Sequence, residues 1–240
     1  MLAKKKLTLM GTIIDVQIES DKATQQLQTV IDLLHTYKNR FSANDADSEL
    51  MAVNQAAGVK PVNVHSDLLN LIQIGKTHSL STPSNLNIAI GPLVQTWRIG
   101  FEDARVPNHS LISRQLALTD PKQVIIDDKE QTVFLQQAGM ALDLGALAKG
   151  YIADKVMAYL IRDGIDSALI NLGGNVLVHG PNPKRADAAF HVGIQKPGAK
   201  RGQHLGVIKI NNQSVVTSGI YERQLNVVGK HYHCLLYTSD

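Results

Sequence analysis

The stretch DLGALAKGYIADKVMAYLIRDG, residues 143–164, followed by ALINLGGNVLVH, residues 168–179, carries most of the information about the fold. Leu144, Leu147, Ala148, Tyr151, Ile152, Val156 and Leu160 recur at three and four residues, so they mark one apolar face of a helix ending near Asp163-Gly164. Gly145 and Gly150 lower helix propensity, each by about 1 kcal/mol relative to alanine. Close packing or close approach to a ligand is the physical reason to place glycine there. A strand Ala168–Leu172 then reaches the bend Gly173-Gly174-Asn175, and a second strand follows over Val176–His179. Three more strands are expected at Phe190–Ile194, Leu205–Ile210 and Ser214–Thr217, separated by polar loops. Strands outnumber helices here and do not alternate with them, which predicts a mixed α+β fold rather than a doubly wound α/β one.

Working outward, residues 7–18 read as one strand with a tight spot at Gly11. A helix is expected from about Lys22, with Leu27, Val30, Ile31 and Leu34 on one face and Ser20 or Asp21 capping its first turn. The polar stretch 41–49 feeds a short helix through Leu50, Met51 and Val53. Ser66 or Asp67 opens another through Leu68, Leu71 and Ile72, weakened by Gly75. Residues 82–121, punctuated by Pro83, Pro92, Pro107 and Pro121, read mostly as loop with a short helix near Leu93–Trp97. Gln123–Ile126 and Thr132–Leu135 flank a polar turn and form a hairpin.

Composition excludes several classes. With 240 residues, 44% hydrophobic and 19% charged, the chain can bury a core and is not a disordered one. A net charge of +3 is too mild to argue for nucleic acid, and no apolar run approaches the roughly 18 residues of a membrane span. The run Lys4-Lys5-Lys6 is followed by neither an apolar segment nor a small-residue cleavage site. No signal peptide is therefore expected, which leaves a cytoplasmic protein or an amino-terminally incomplete one. Cys234 is the single cysteine, so an intramolecular disulfide and a cysteine-based zinc site are both excluded.

Three glycine-bearing segments could turn backbone amides toward an anion. In Asp143–Gly150 a helix begins with Lys149 in its second turn, where free amides and a cation suit phosphate. The others are the bend Asn171–Asn175 and the strand end Thr217-Ser218-Gly219-Ile220-Tyr221-Glu222-Arg223. None has the spacing of a known nucleotide fingerprint, and from the residues alone each reads more readily as a solvent turn or a helix boundary than as a ligand contact. Asp143 and Asp154 lie about three helical turns apart and cannot share a metal from one helix; Asp143 could do so only from a preceding strand end. Asp154 reads as a helix-face residue bonding a neighbouring loop. His231 and His233 are spaced as on one strand face, without a helical zinc motif. Trp97 reads as core or as a stacking platform.

Taken in order, the segments resemble the ApbE-type flavin transferases, which move FMN from FAD onto a serine or threonine of a target protein. The resemblance runs through Met10-Gly11-Thr12, Phe41-Ser42 with Asp47–Leu50 and Asn54, and Gly91–Val94 with Trp97. It continues through Asp143–Tyr151 with Asp154, Asn171–Asn175, Gly193-Ile194 with Pro197, Ser218–Arg223, and Tyr232-His233. It implies one α+β domain over residues 1–233 that binds Mg-FAD in a cleft between two parts. It also implies that Met10, Asn171, Gly173, Gly174, Ser218, Tyr221 and Arg223 shape the FAD pocket. Lys149 would lie around the pyrophosphate, His233 near the reacting phosphate, and the carbonyl of Ala146 against Mg2+. An acceptor flavoprotein would be the partner. Many members are extracytoplasmic and membrane-attached.

Departures from the family's pattern cluster at the end. Beyond Tyr232-His233 the family continues with a histidine, two aliphatic residues, Asp-Pro and a nearby Thr-Gly. Here Cys234 replaces the histidine, Leu235 and Leu236 match, and Tyr237 replaces the aspartate that, with the threonine, ligates magnesium. Residues 234–240 therefore read as a tail foreign to a domain truncated at its carboxyl end. The alternative expectation is an FAD-binding protein without transferase activity. Earlier, Leu86-Asn87 stands where many members have Phe-Asp.

Overall fold

The computed structural model describes residues 1–200, 202–219, 223–227 and 229–233. In chain order it contains β1 (Leu2–Leu9), β2 (Thr12–Glu19), α1 (Ala23–Phe41), α2 (Glu49–Gln55), β3 (Val62–Asn63), α3 (Ser66–Leu80), α4 (Gly91–Trp97) and α5 (His109–Leu116). There follow β4 (Val124–Asp127), β5 (Thr132–Leu135), α6 (Gly145–Arg162), β6 (Ser167–Leu172), β7 (Asn175–His179), β8 (Phe190–Gln195) and β9 (His204–Ile210). The last three are β10 (Ser214–Val216), β11 (Gln224–Val227) and β12 (Lys230–His233). This is the mixed α+β class expected. The chain divides into two compact units, each discontinuous in sequence: residues 1–38 with 149–219, and residues 39–148 with 220–240.

The first unit is built on an antiparallel five-stranded sheet in the order β1-β2-β6-β7-β10. Period-two patterning sends Ile14, Val16 and Ile18 of β2, Ala168, Ile170 and Leu172 of β6, and Val176 and Val178 of β7 into the interior. Ala23, Leu27, Val30 and Leu34 of α1 and Ile152, Val156 and Leu160 of α6 are buried in the same unit. Gln26 ties the two helices together by donating to the carbonyl and the carboxylate of Asp163. The hairpin β8–β9 adds Phe190 and Ile210 against Val176 and Val178. Asp187 accepts from His191 and Lys209, which are paired across that hairpin.

In the second unit a three-stranded sheet, β3-β5-β4, carries α3 against it. Arg40 holds three helix ends together: its Nε meets Glu49 at 3.1 Å and its Nη1 meets Asp67 at 3.2 Å, while Glu49 also accepts from the His65 amide. Asn54 brackets the backbone of Leu142, donating to its carbonyl at 3.0 Å and accepting from its amide at 2.7 Å.

Several expectations require correction. Residues 7–18 are not one strand: the tight spot is a hairpin turn, with Met10 and Gly11 at φ +53° and +67°, and the lysine run forms the edge strand β1. Phe41 closes α1 rather than opening a loop. Helix α3 does open at Ser66 as expected, with His65 as its cap through Nδ1 accepting from Asp67 N, and Gly75 sits inside it because a Cβ there would lie 2.6 Å from Ile88. The proline-rich stretch holds α5, capped by Asn108 accepting from Leu111 N at 2.8 Å. Asp143 lies in coil rather than at a strand end. Among the described residues, no helix is long and apolar enough to cross a membrane.

Candidate active site

Antiparallel pairing of β2 with β6 places Ile14 opposite Leu172, so the β1–β2 turn and the β6–β7 bend emerge at the same end of the sheet. Gly173 and Gly174 have φ +65° and +97°, the left-handed region in which a side chain is strained. A Cβ on Gly173 would meet Thr12 Oγ1 at 2.1 Å, so Met10–Thr12 and Gly173 are in direct apposition. Asn171 holds the bend by accepting from Gly174 N at 2.9 Å, which commits that amide to the turn instead of an anion. Thr217 N donates to Gly174 O at 3.1 Å and brings the exposed Ser218 beside it. A Cβ on Gly150 would lie 3.4 Å from Asn175 Nδ2, so the half-buried Lys149 and its neighbour run alongside the same bend.

The first unit thus brings together Met10, Lys149, Asn171, Gly173, Gly174 and Ser218. Thr12 and Asn175, quoted in the motifs but not named as pocket residues, join them; their signal is their place directly beside the glycine turns. A pocket of about 460 Å3, lined among others by Gln17, Glu19, Ser167, Lys184 and Arg185, lies toward the other end of β2 and β6 and contains none of the candidate residues.

The second unit holds another group. Gln224 pairs with His233 across the β11–β12 hairpin, so Arg223 and His233 are neighbours. His233 is half-buried and its Nδ1 is shielded from solvent. His231 shares its strand face but is exposed and bonds Asn226 at 2.7 Å. Trp97 is half-buried and packs on Tyr232, with ring centroids 5.1 Å apart. Ala146 is exposed in the first turn of α6, where Asp143 accepts from Gly145 N at 2.8 Å and so satisfies one of the helix's opening amides. On the part of α6 that belongs to the first unit, Asp154 is exposed and, contrary to expectation, makes no hydrogen bond to a loop among the described residues. Partial desolvation raises its carboxyl above the usual range. Among the described residues no three His, Cys, Asp or Glu side chains group as a metal site. Tyr221, and Cys234–Asp240 where the departures cluster, lie outside the described residues.

The pattern of the ApbE family matches residues 10–239, and the chain belongs to that family of enzymes. A Klebsiella pneumoniae protein named FAD:protein FMN transferase is 45% identical over 95% of this chain and 69% of its own length. One of the same name from Treponema pallidum is 35% identical over 95% of this chain and 67% of its own. The crystal structure of the ApbE protein from Thermotoga maritima superposes with a TM-score of 0.88 at 25% identity, covering 98% of this chain and 76% of that one.

Proposed function

We propose that this chain transfers FMN from FAD to a serine or threonine hydroxyl of an acceptor flavoprotein, releasing AMP. The observation that carries the reading is the 45% identity, over 95% of the chain, to a relative named for that activity. The convergence of Met10, Lys149, Gly173, Gly174 and Ser218 at one sheet end supports it, since a dinucleotide pyrophosphate needs close backbone approach and a cation.

In this reading the acceptor oxygen attacks the FMN phosphorus. The bond from that phosphorus to the bridging oxygen breaks, and AMP leaves with the bridging oxygen. His233 takes the hydroxyl proton, and its hairpin neighbour Arg223 shapes the FAD pocket. Such transfer rests mostly on positioning and electrostatic stabilisation. Magnesium dependence belongs to the same reading. Mg2+ keeps several waters and takes one or two carboxylates plus phosphate oxygens. The Ala146 carbonyl is the donor the family resemblance offers among the described residues, and these residues alone do not complete a cage.

The test is purified protein with FAD, Mg2+ and an acceptor protein, read by a covalently fluorescent acceptor band and by AMP release. The expected result is both signals together. FAD bound tightly with the acceptor unchanged would instead favour a flavin binder without transfer, and unbound, unchanged FAD would overturn both.

A further inference from the structure

Strands β11 and β12 form a two-stranded hairpin, and such a hairpin is marginal without a tertiary contact. Successive side chains on a strand face opposite ways, so whatever holds Tyr232 also fixes the side on which His233 stands. The ring of Trp97 is against Tyr232. Trp97 also opens a closed loop: Arg105 N donates to Trp97 O at 3.0 Å, and Arg105 Nε donates to Thr96 O at 3.1 Å. Inside the loop Arg98, at φ +54°, donates from Nε to both carboxylate oxygens of Asp103 at 3.1 Å and stacks over Phe101 at 4.2 Å. Gly100, at φ +92°, forms the tip, and a Cβ there would lie 3.0 Å from Arg223 Cδ. One braced loop therefore touches the open end of the hairpin twice, at Arg223 before β11 and at Tyr232 in β12.

We infer that the 97–105 loop is a positioning device, in which Trp97 sets His233 through Tyr232 and Gly100 sets Arg223 by leaving room for its side chain. The inference rests on the roles given to His233 and Arg223 in the proposed function.

It is tested on the full chain with Trp97→Leu, Trp97→Phe and Gly100→Ala. Trp97→Leu is expected to lower kcat about ten- to a hundredfold, the order of cost of a small misplacement, with KM for FAD within about twofold. Trp97→Phe, which keeps a ring, should recover most of that loss. Gly100→Ala should raise KM for FAD about tenfold with a smaller change in kcat. Independently of turnover, the His233 ring resonances should move in Trp97→Leu and stay in place in Trp97→Phe. If Trp97→Leu lowers thermal stability while the His233 resonances and the kcat-to-KM pattern stay unchanged, the positioning role is overturned. If the unaltered protein transfers no FMN but its His233 resonances follow Trp97, the proposed reaction fails and the positioning stands.

Discussion

Replacing Gly173 by alanine should destabilise the first unit by more than its backbone angle alone requires. At φ +65° an L side chain costs about 1–2 kcal/mol. The added Cβ would also fall 2.1 Å from Thr12 Oγ1 and 2.7 Å from its Cγ2, so Thr12 must move, and overpacking of this kind costs about 1–3 kcal/mol. The total is about 2–5 kcal/mol, or roughly 4–20 °C in Tm at the ~2–4 °C per kcal/mol expected for this size. Gly164→Ala is the internal reference: its φ is +78° with nothing within 4 Å of the added Cβ, so it reports the angle cost alone. Urea midpoints at constant m-value measure both. Adding Thr12→Ala to Gly173→Ala should restore part of the loss, since it removes Oγ1 and Cγ2 but leaves Thr12 Cβ at 2.8 Å. Equal midpoints for Gly164→Ala and Gly173→Ala would refute the apposition of the two turns.

Other perturbations follow the same logic. Asn54→Ala removes both partners of the Leu142 backbone and should cost about 2–4 kcal/mol in chemical denaturation, with Asn54→Asp losing only the donor. Arg40→Met removes the guanidinium shared by the partly buried Glu49 and Asp67 and should lower stability by about 1–3 kcal/mol, an effect that 0.5 M salt does not erase. Hydrogen bonds from Lys209 and His191 hold the Asp187 carboxyl well below the usual carboxylate range of about 4. Between its folded and unfolded values the unfolded chain binds more protons, so this contribution is present above about pH 4 and is lost as pH falls through the folded value. Urea midpoints at pH 3 and pH 6 should therefore differ less in Asp187→Asn than in the parent.

What the sequence disclosed follows physical signal strength. The apolar face from Leu144 to Leu160 and the period-two strands around Gly173-Gly174 are dictated by burial, and they appear as α6, β6 and β7 within a residue or so of the expected ends. Strand β1 was illegible because an edge strand rich in lysine buries none of its side chains fully and leaves no alternation to read. Helix α5 likewise has no buried residue, and only its Asn108 cap marked it. At the site, glycine pairs announced the turns, but the apposition of Thr12 to Gly173 depends on pairing between segments about 160 residues apart, and the approach of Gly150 to Asn175 depends on packing. The bracing of Tyr232 by Trp97 is invisible for the same reason: local pattern holds no record of a long-range ring contact.

The discontinuity of the first unit also bears on how the chain is made. Strand β2 leaves the ribosome early, yet its partner β6 lies beyond the whole of residues 39–148. At typical synthesis rates of about 5–20 residues per second, that edge waits roughly 8–30 s for Leu172 to arrive opposite Ile14. During that interval β1 and β2 have only each other and the following α1, with the β6-facing edge of β2 unpaired, and a two-stranded hairpin is marginal in water. Lys4, Lys5 and Lys6 on the outer strand then discourage pairing with a neighbouring nascent chain. Neither unit can be produced as a simple leading or trailing fragment, and slowing translation between β2 and β6 should raise aggregation of the newborn chain without altering any contact in the finished one.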